Sequence, residues 1–326
     1  MTERFIRHGG IPGWGRERLR SATVVVIGVG ALGNEVTRIL AMAGAGRLRI
    51  CDPDMVAESN LSRTILFRAK DIGRFKADAA ADVLRDVSPG TEVEPIVAPH
   101  VSGIGLATLR DADLVISCLD SVAARLSLAA RCNAVGAGLL DAGTHPWGGQ
   151  VRYYGPGGAC FGCGMSGQQR AVQDDPWSCA APIPDTAHGA SSAIAALVGA
   201  WQATSALRIL FGLPTAQASL RIESVGALHQ TELRRDTACP LHESLDATQI
   251  ERIGAVTTVQ DVLDHMVADE EAFTWASLPG GGQLLRTAPS YANLTDLGIA
   301  RDEILPVARR GTLRADKYFE LGERSR

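Results

Sequence analysis

The chain lacks an excess of positive charge: 32 lysines and arginines stand against 36 aspartates and glutamates, for a formal net charge of -4. Bulk attraction to nucleic acid or to an anionic membrane calls for a basic surface, so neither partner is expected. Residues 1–10 carry Arg4, Arg7 and His8 with no apolar core between them, unlike a secretion signal. Nor is there a clean apolar run of bilayer length. The longest apolar stretch, 187–210, is broken by His188, Gln202 and Arg208 and is rich in Ala and Ser, which suits a buried helix better than a membrane span. The cysteines do not form an even disulfide framework. There are seven, and their clustering points to metal and reactivity instead. Together these absences predict a soluble cytoplasmic protein.

What is present supports a full core. At 326 residues with 46% apolar side chains, the chain suits one large domain plus a small one, without need of covalent staples. An apolar run, Val24-Val25-Val26-Ile27, stops at Gly28-Val29-Gly30-Ala31-Leu32-Gly33. Its unbroken apolarity predicts a parallel strand buried on both faces. Leu32, Val36, Ile39, Leu40 and Ala43 then recur at helical spacing, so 31–43 is an amphipathic helix ended by Gly44 and Gly46. A second strand, 48–51, ends at Asp52. A helix over 78–87 follows, then strands at 93–98, 114–118 and near 139–141. The alternation predicts a doubly wound, Rossmann-like, mostly parallel α/β sheet with ligands at the carboxyl ends of its strands. From Gly149 to Tyr154 the pattern becomes alternating, which predicts antiparallel strands extending the sheet.

A strand, a glycine turn and a helix N-terminus form an anion site, because unpaired N–H groups and the helix dipole point at one spot. Asp52, roughly 20 residues beyond the glycines, is placed for a ribose hydroxyl. That much also fits a nicotinamide oxidoreductase. Asn60, Arg63 and Lys76 would be idle in such an enzyme, but chemistry at the α-phosphate of ATP requires cations there, since charge develops on that group.

These motifs identify a family. Gly28–Gly33, Asp52, Ser59-Asn60-Leu61-Ser62-Arg63 and Asp71-Ile72-Gly73-Arg74-Phe75-Lys76, in that order, resemble the ThiF/MoeB adenylating enzymes, bacterial relatives of the ubiquitin-activating enzymes. The resemblance covers about residues 1–245, taken as the adenylating domain. It implies ATP-dependent adenylation of the C-terminal carboxylate of a ubiquitin-like sulfur-carrier protein ending in Gly-Gly. Gly28, Gly30, Gly33, Asp52 and Asn60 would bind the nucleotide, with Arg63 and Lys76 on its phosphates. Asp120 sits past the 114–118 strand, where the family places a magnesium-facing aspartate, although its usual Asn neighbour is Ser121 here. Otherwise Asp120 would cap the following helix. The family also implies a homodimer in which Arg7, in an Arg-aromatic-x-Arg segment, reaches the partner's ATP in trans. His8 replaces the usual glutamine. The helix over 190–210 would lie at the dimer interface or in the core.

Cys160-Phe161-Gly162-Cys163 and Cys239-Pro240-Leu241-His242 are two pairs with the spacing of knuckles that clamp a tetrahedral ion. A redox pair is the rival, but the glycines around Cys163 argue against the helix start such a pair uses. The family usually holds structural zinc on four cysteines; here His242 stands for the last. Between the pairs, 165–187 reads as a surface loop, in the place of the family's crossover loop. Cys179 matches its cysteine by position, a thiol some members use as an acyl acceptor, though the Ala-Ala-Pro-Ile-Pro after it departs from the pattern. Residues 250–326 predict a small α+β domain: a helix through Met266 opened by a Thr258–Asp261 capping box, a hairpin of 273–277 with 283–286, and strands at 304–307 and 317–321. No rhodanese-type cysteine loop occurs in it. Adenylation of a peptide or tRNA base, or a non-catalytic scaffold, are the other readings of the whole.

Overall fold

The computed structural model describes residues 3–171, 191–223, 226–275, 282–312 and 314–322. Helix α1 (Arg16–Ser21) leads into β1 (Thr23–Ile27), α2 (Ala31–Ala43) and β2 (Arg47–Cys51). Then come α3 (Lys76–Val87), β3 (Glu92–Ile96), α4 (His100–Gly103), α5 (Leu106–Asp111), β4 (Leu114–Ser117), α6 (Val122–Val135) and the antiparallel hairpin β5 (Leu139–His145) and β6 (Gly148–Tyr154). Short α7 (Gly167–Arg170) lies inside the stretch expected to be loop, because Ser166 and Gln169 form a capping box at its start. Helix α8 (Ser192–Leu210) and strands β7 (Ala218–Ile222) and β8 (Leu228–Glu232) complete an eight-stranded sheet in the order β3-β2-β1-β4-β5-β6-β7-β8. The first five strands in that order run parallel, and the last three extend the sheet antiparallel.

Both faces of this sheet are covered, which is why its central strands are continuous apolar runs. Val24 and Val26 of β1, Leu48 and Ile50 of β2, and Leu114 and Ile116 of β4 face the layer of α2, α3 and α8. Val25 and Ile27 of β1 and Val115 of β4 face α5 and α6. Among the described helices, α8 alone has the length and composition to cross a membrane. Here it packs on α2, β5 and β6, and its fully buried Gln202 donates to the Ser117 and Leu140 carbonyls.

Strands β9 (Ile250–Gly254), β10 (Glu270–Ala272), β11 (Ile304–Arg309) and β12 (Lys317–Leu321) form a second sheet, in the order β10-β11-β12-β9, with α9 (Val259–Leu263) packed beside it. Helix α9 begins at the expected Thr258–Asp261 capping box but ends at Leu263, short of Met266. Of the expected hairpin, a single bridge joins Phe273 to Leu284; residues 276–281 lie outside the described residues. This second sheet is fastened to α5 and α6. Glu303, wholly buried, pairs with Arg131 at 2.7 Å and accepts from the Leu106 and Ile304 amides. Arg110 reaches Glu320, which also pairs with Arg252. Removing one member of this buried pair would leave an unpaired charge, at a cost of about 3–5 kcal/mol.

Candidate active site and metal centre

The glycine turn is built by close approach. Gly28 has φ +90 and donates to Cys51 at 2.8 Å, and a Cβ there would lie 2.7 Å from the Cys118 carbonyl oxygen. A Cβ on Gly33 would lie 2.0 Å from the Gly28 carbonyl oxygen, so only glycine lets α2 start this close to β1. Gly30 is the N-cap of α2, and nothing lies within 4 Å of where its Cβ would be, so ligand atoms can approach the backbone there.

Asp52 follows β2 and lies buried beside this turn. One carboxylate oxygen accepts from the Val29 amide at 2.7 Å and the other from the Asp54 amide at 2.9 Å. Burial raises its pKa, opposed by the field of Lys76 and by the two amides. Each oxygen retains a lone pair for a ribose hydroxyl. Lys76 opens α3, and its side chain is only 4% exposed; its Nζ meets Asp54 at 2.8 Å. Asn60 is buried in a 3-10 turn, where its Oδ1 accepts from the Ala57 amide at 3.0 Å, so its NH2 end is the one that can donate to a phosphate. Arg63 donates to the Ser59 carbonyl at 2.6 Å.

Asn34, absent from the sequence reading, joins two of these segments. Its NH2 donates to the Val29 and Gly30 carbonyls, and its Oδ1 accepts from the Leu66 amide at 2.8 Å. The glycine turn is thereby tied to the chain just past Arg63. Asp54, two residues after Asp52, is likewise absent from the residues the sequence pointed to. An alternation of acids leaving a strand is the signal that could have found it.

Asp120 is exposed past the end of β4, the strand that pairs with β1 on the side opposite β2. It does not cap α6. Ser121 takes that role, its hydroxyl accepting from the Ala124 amide at 3.0 Å, because a cap must sit immediately before the first helical residue. Arg125 fixes this loop by donating to the Leu119 and Ala142 carbonyls. Beneath it the fully buried Asp141 accepts from the Ser117 hydroxyl at 2.8 Å.

Arg7 lies elsewhere. Phe5 packs on Gly44 at the C-terminal end of α2, and Arg4 donates to the Val87 carbonyl at the C-terminal end of α3. The glycine turn is at the other end of α2, a 13-residue helix and so roughly 20 Å long. Cys179 lies outside the described residues.

Cys160, Cys163, Cys239 and His242 converge, their ligand atoms all within 4.8 Å of one another. The Sγ–Sγ separations of Cys160 from Cys163 and Cys239 are 3.8 and 3.7 Å. A tetrahedron with zinc–sulfur bonds of about 2.3 Å has edges of about 3.8 Å, so the donor set fits zinc. The Cys160 and Asp236 amides each donate to Cys163 Sγ at 3.3 Å, the outer support a thiolate ligand needs. Burial, followed by the neighbouring Cys163, pushes the Cys160 thiol up, so a bound cation would be what holds it as a thiolate. The second knuckle is also pinned to the far end of α6 by Asn133–Leu241 and Leu245–Ala134 hydrogen bonds.

The ThiF family model matches residues 3–244. The protein belongs to the ThiF family. Its curated relatives include the human ubiquitin-like modifier-activating enzyme 7, 37% identical over 145 residues that make up 41% of this chain and 14% of that protein. The SAMP-activating enzyme E1 of Haloferax volcanii is 33% identical over 46% of this chain and 55% of its own length. The Escherichia coli molybdopterin-synthase adenylyltransferase is 33% identical over 46% of this chain and 61% of its own length. This ThiF-family chain thus spans less than two thirds of each of these relatives. Among solved structures, E. coli MccB with ATP superposes with a TM-score of 0.60 over 74% of both chains at 19% identity, a likeness of fold.

Proposed function

We propose that this protein is an adenylyltransferase that activates the C-terminal glycine carboxylate of a ubiquitin-like sulfur-carrier protein with ATP, releasing pyrophosphate. What supports the reading is the Lys76 ammonium linked through Asp54 and Asp52 to the glycine turn, with Asn34 tying that turn to Leu66 just past Asn60 and Arg63. A nicotinamide enzyme leaves that phosphate-handling set without a task. The names of the Haloferax and E. coli relatives favour the same chemistry.

In this reading the Gly28–Gly33 turn and Asp52 hold the nucleoside, and Asn60 donates to the phosphates. Arg63 and Lys76 offset the charge that builds on the α-phosphate as the carboxylate attacks in line. No general base is needed, because the attacking carboxylate is ionised at neutral pH; positioning and fixed charges do the catalysis. Asp120 would hold magnesium, for which one carboxylate with phosphate oxygens suffices. Arg7, about one helix length from its own glycine turn, would serve the partner's ATP in a homodimer. Zinc on Cys160, Cys163, Cys239 and His242 would be structural. Residues 1–245 would form the adenylating domain and 250–326 a separate small one. Cys179 is kept as a candidate acyl acceptor.

ATP–pyrophosphate exchange tests the reading, with candidate carriers offered intact and with the terminal Gly-Gly removed. Exchange that needs the intact tail is expected. Exchange driven by a free peptide or a modified tRNA base, and by no carrier, would replace the proposed substrate. Tight dinucleotide binding with no ATP binding would replace the proposed enzyme class.

A further inference from the structure

Lys76 is buried and faces a carboxylate that the proposed chemistry does not use. Asp54 meets its Nζ at 2.8 Å and also accepts from the Lys76 amide at its backbone carbonyl, again at 2.8 Å. The Asp54 amide donates in turn to Asp52, and Asp52 accepts from Val29 in the glycine turn. One chain of hydrogen bonds therefore runs from the glycine turn through both acids to the lysine. Stability alone does not account for its charged end. Asp54 is 43% exposed, and a pair with one partner in solvent contributes little. Burying an ammonium is unfavourable unless a counter-charge is placed against it. A negative charge beside a phosphate path also opposes ATP binding, so its presence needs a reason other than affinity.

We propose that Asp54 is a positioning residue for the adenylation step: it fixes the Lys76 ammonium against the Asp52 and glycine-turn unit, so that the cation is in place where charge develops. The assignment rests on the adenylyltransferase reading. It separates binding from turnover. Loss of the Asp54 charge removes repulsion from the nucleotide but also removes the carboxylate that aligns the lysine for the transition state, so the effect falls on kcat rather than on KM.

The test compares wild type, Asp54→Asn and Asp54→Glu as full-length protein. Three readouts are taken: equilibrium binding of a fluorescent ATP analogue, thermal midpoint, and kcat and KM for ATP in carrier-dependent exchange. Asp54→Asn is expected to bind the analogue as tightly as wild type or up to about threefold tighter, with kcat reduced about tenfold or more and KM not raised. Asp54→Glu, which keeps the charge, is expected to recover part of kcat. Unchanged kcat in Asp54→Asn would overturn the assignment, as would parallel loss of nucleotide binding, thermal midpoint and kcat, the signature of a purely structural role. Absence of exchange in the wild type, with every acceptor, would instead sink the adenylyltransferase reading and this role with it.

Discussion

Heterodimers made of one Arg7→Ala chain and one Arg63→Ala chain are expected to regain exchange activity that neither variant has alone. Removing a cation that stabilises a developing phosphoryl charge costs on the order of 10²–10³ in turnover, so each homodimer should be close to inactive. In the mixed dimer the site that retains Arg63 receives Arg7 from the other chain, and the opposite site lacks both. With differently tagged chains co-expressed and purified on both tags, activity should return to about half of wild type, since one of two symmetric sites is complete. The physical basis is distance. Phe5 on Gly44 and Arg4 on the Val87 carbonyl anchor the arm at the C-terminal ends of α2 and α3, away from the glycine turn of the same chain. A doubly purified heterodimer as inactive as its parents would show that Arg7 acts within its own chain, and a fully active Arg7→Ala homodimer would show that it has no part in the reaction.

Loss of the metal centre should have the other large effect, on stability. Zinc bound by a preformed Cys3His set contributes its binding free energy to the folded state, and binding is strong because three thiols give up protons to it. Here the ion would join the 160–163 turn to the 239–242 turn, and the latter is held to the end of α6 away from Asp120. We expect one zinc per chain by elemental analysis. In Cys239→Ser that zinc should be absent and the thermal midpoint lower by on the order of 10 °C. None of the four ligands belongs to the glycine turn or to the Asp52–Lys76 segment, so ATP binding below the lowered transition should persist. A metal-free wild type, or a Cys239→Ser variant with an unchanged midpoint, would remove the zinc assignment.

How much of this was legible in the sequence depended on whether the cause was local. The buried run at β1, the helical spacing of Leu32, Val36 and Leu40 in α2, and the alternation in β6 are local patterns, and each element formed where expected. The Thr258 capping box was legible for the same reason, since its partners are three residues apart. The metal ligands were legible as pairs because each pair has a fixed internal spacing; their meeting required the fold. The alternative role of Asp120 as a helix cap falls away because the neighbouring Ser121 offers the same chemistry one residue closer to α6. Residues that act across the chain left no such trace. Asn34 links the glycine turn to Leu66, Gln202 joins α8 to β4 and β5, and Arg131 of α6 finds Glu303 just before β11. Nothing in the residues adjacent to any of these announces its partner.

The most direct test of the central claim is the intact mass of a Gly-Gly-ending carrier incubated with ATP, magnesium and this protein, then quenched in acid. The account predicts a carrier species heavier by one adenylyl group, located on the terminal glycine, which appears only with the intact tail and is abolished when Lys76→Ala replaces the wild type. A carrier that stays unmodified while the protein binds and turns over ATP would contradict carboxylate adenylation of a carrier as the activity.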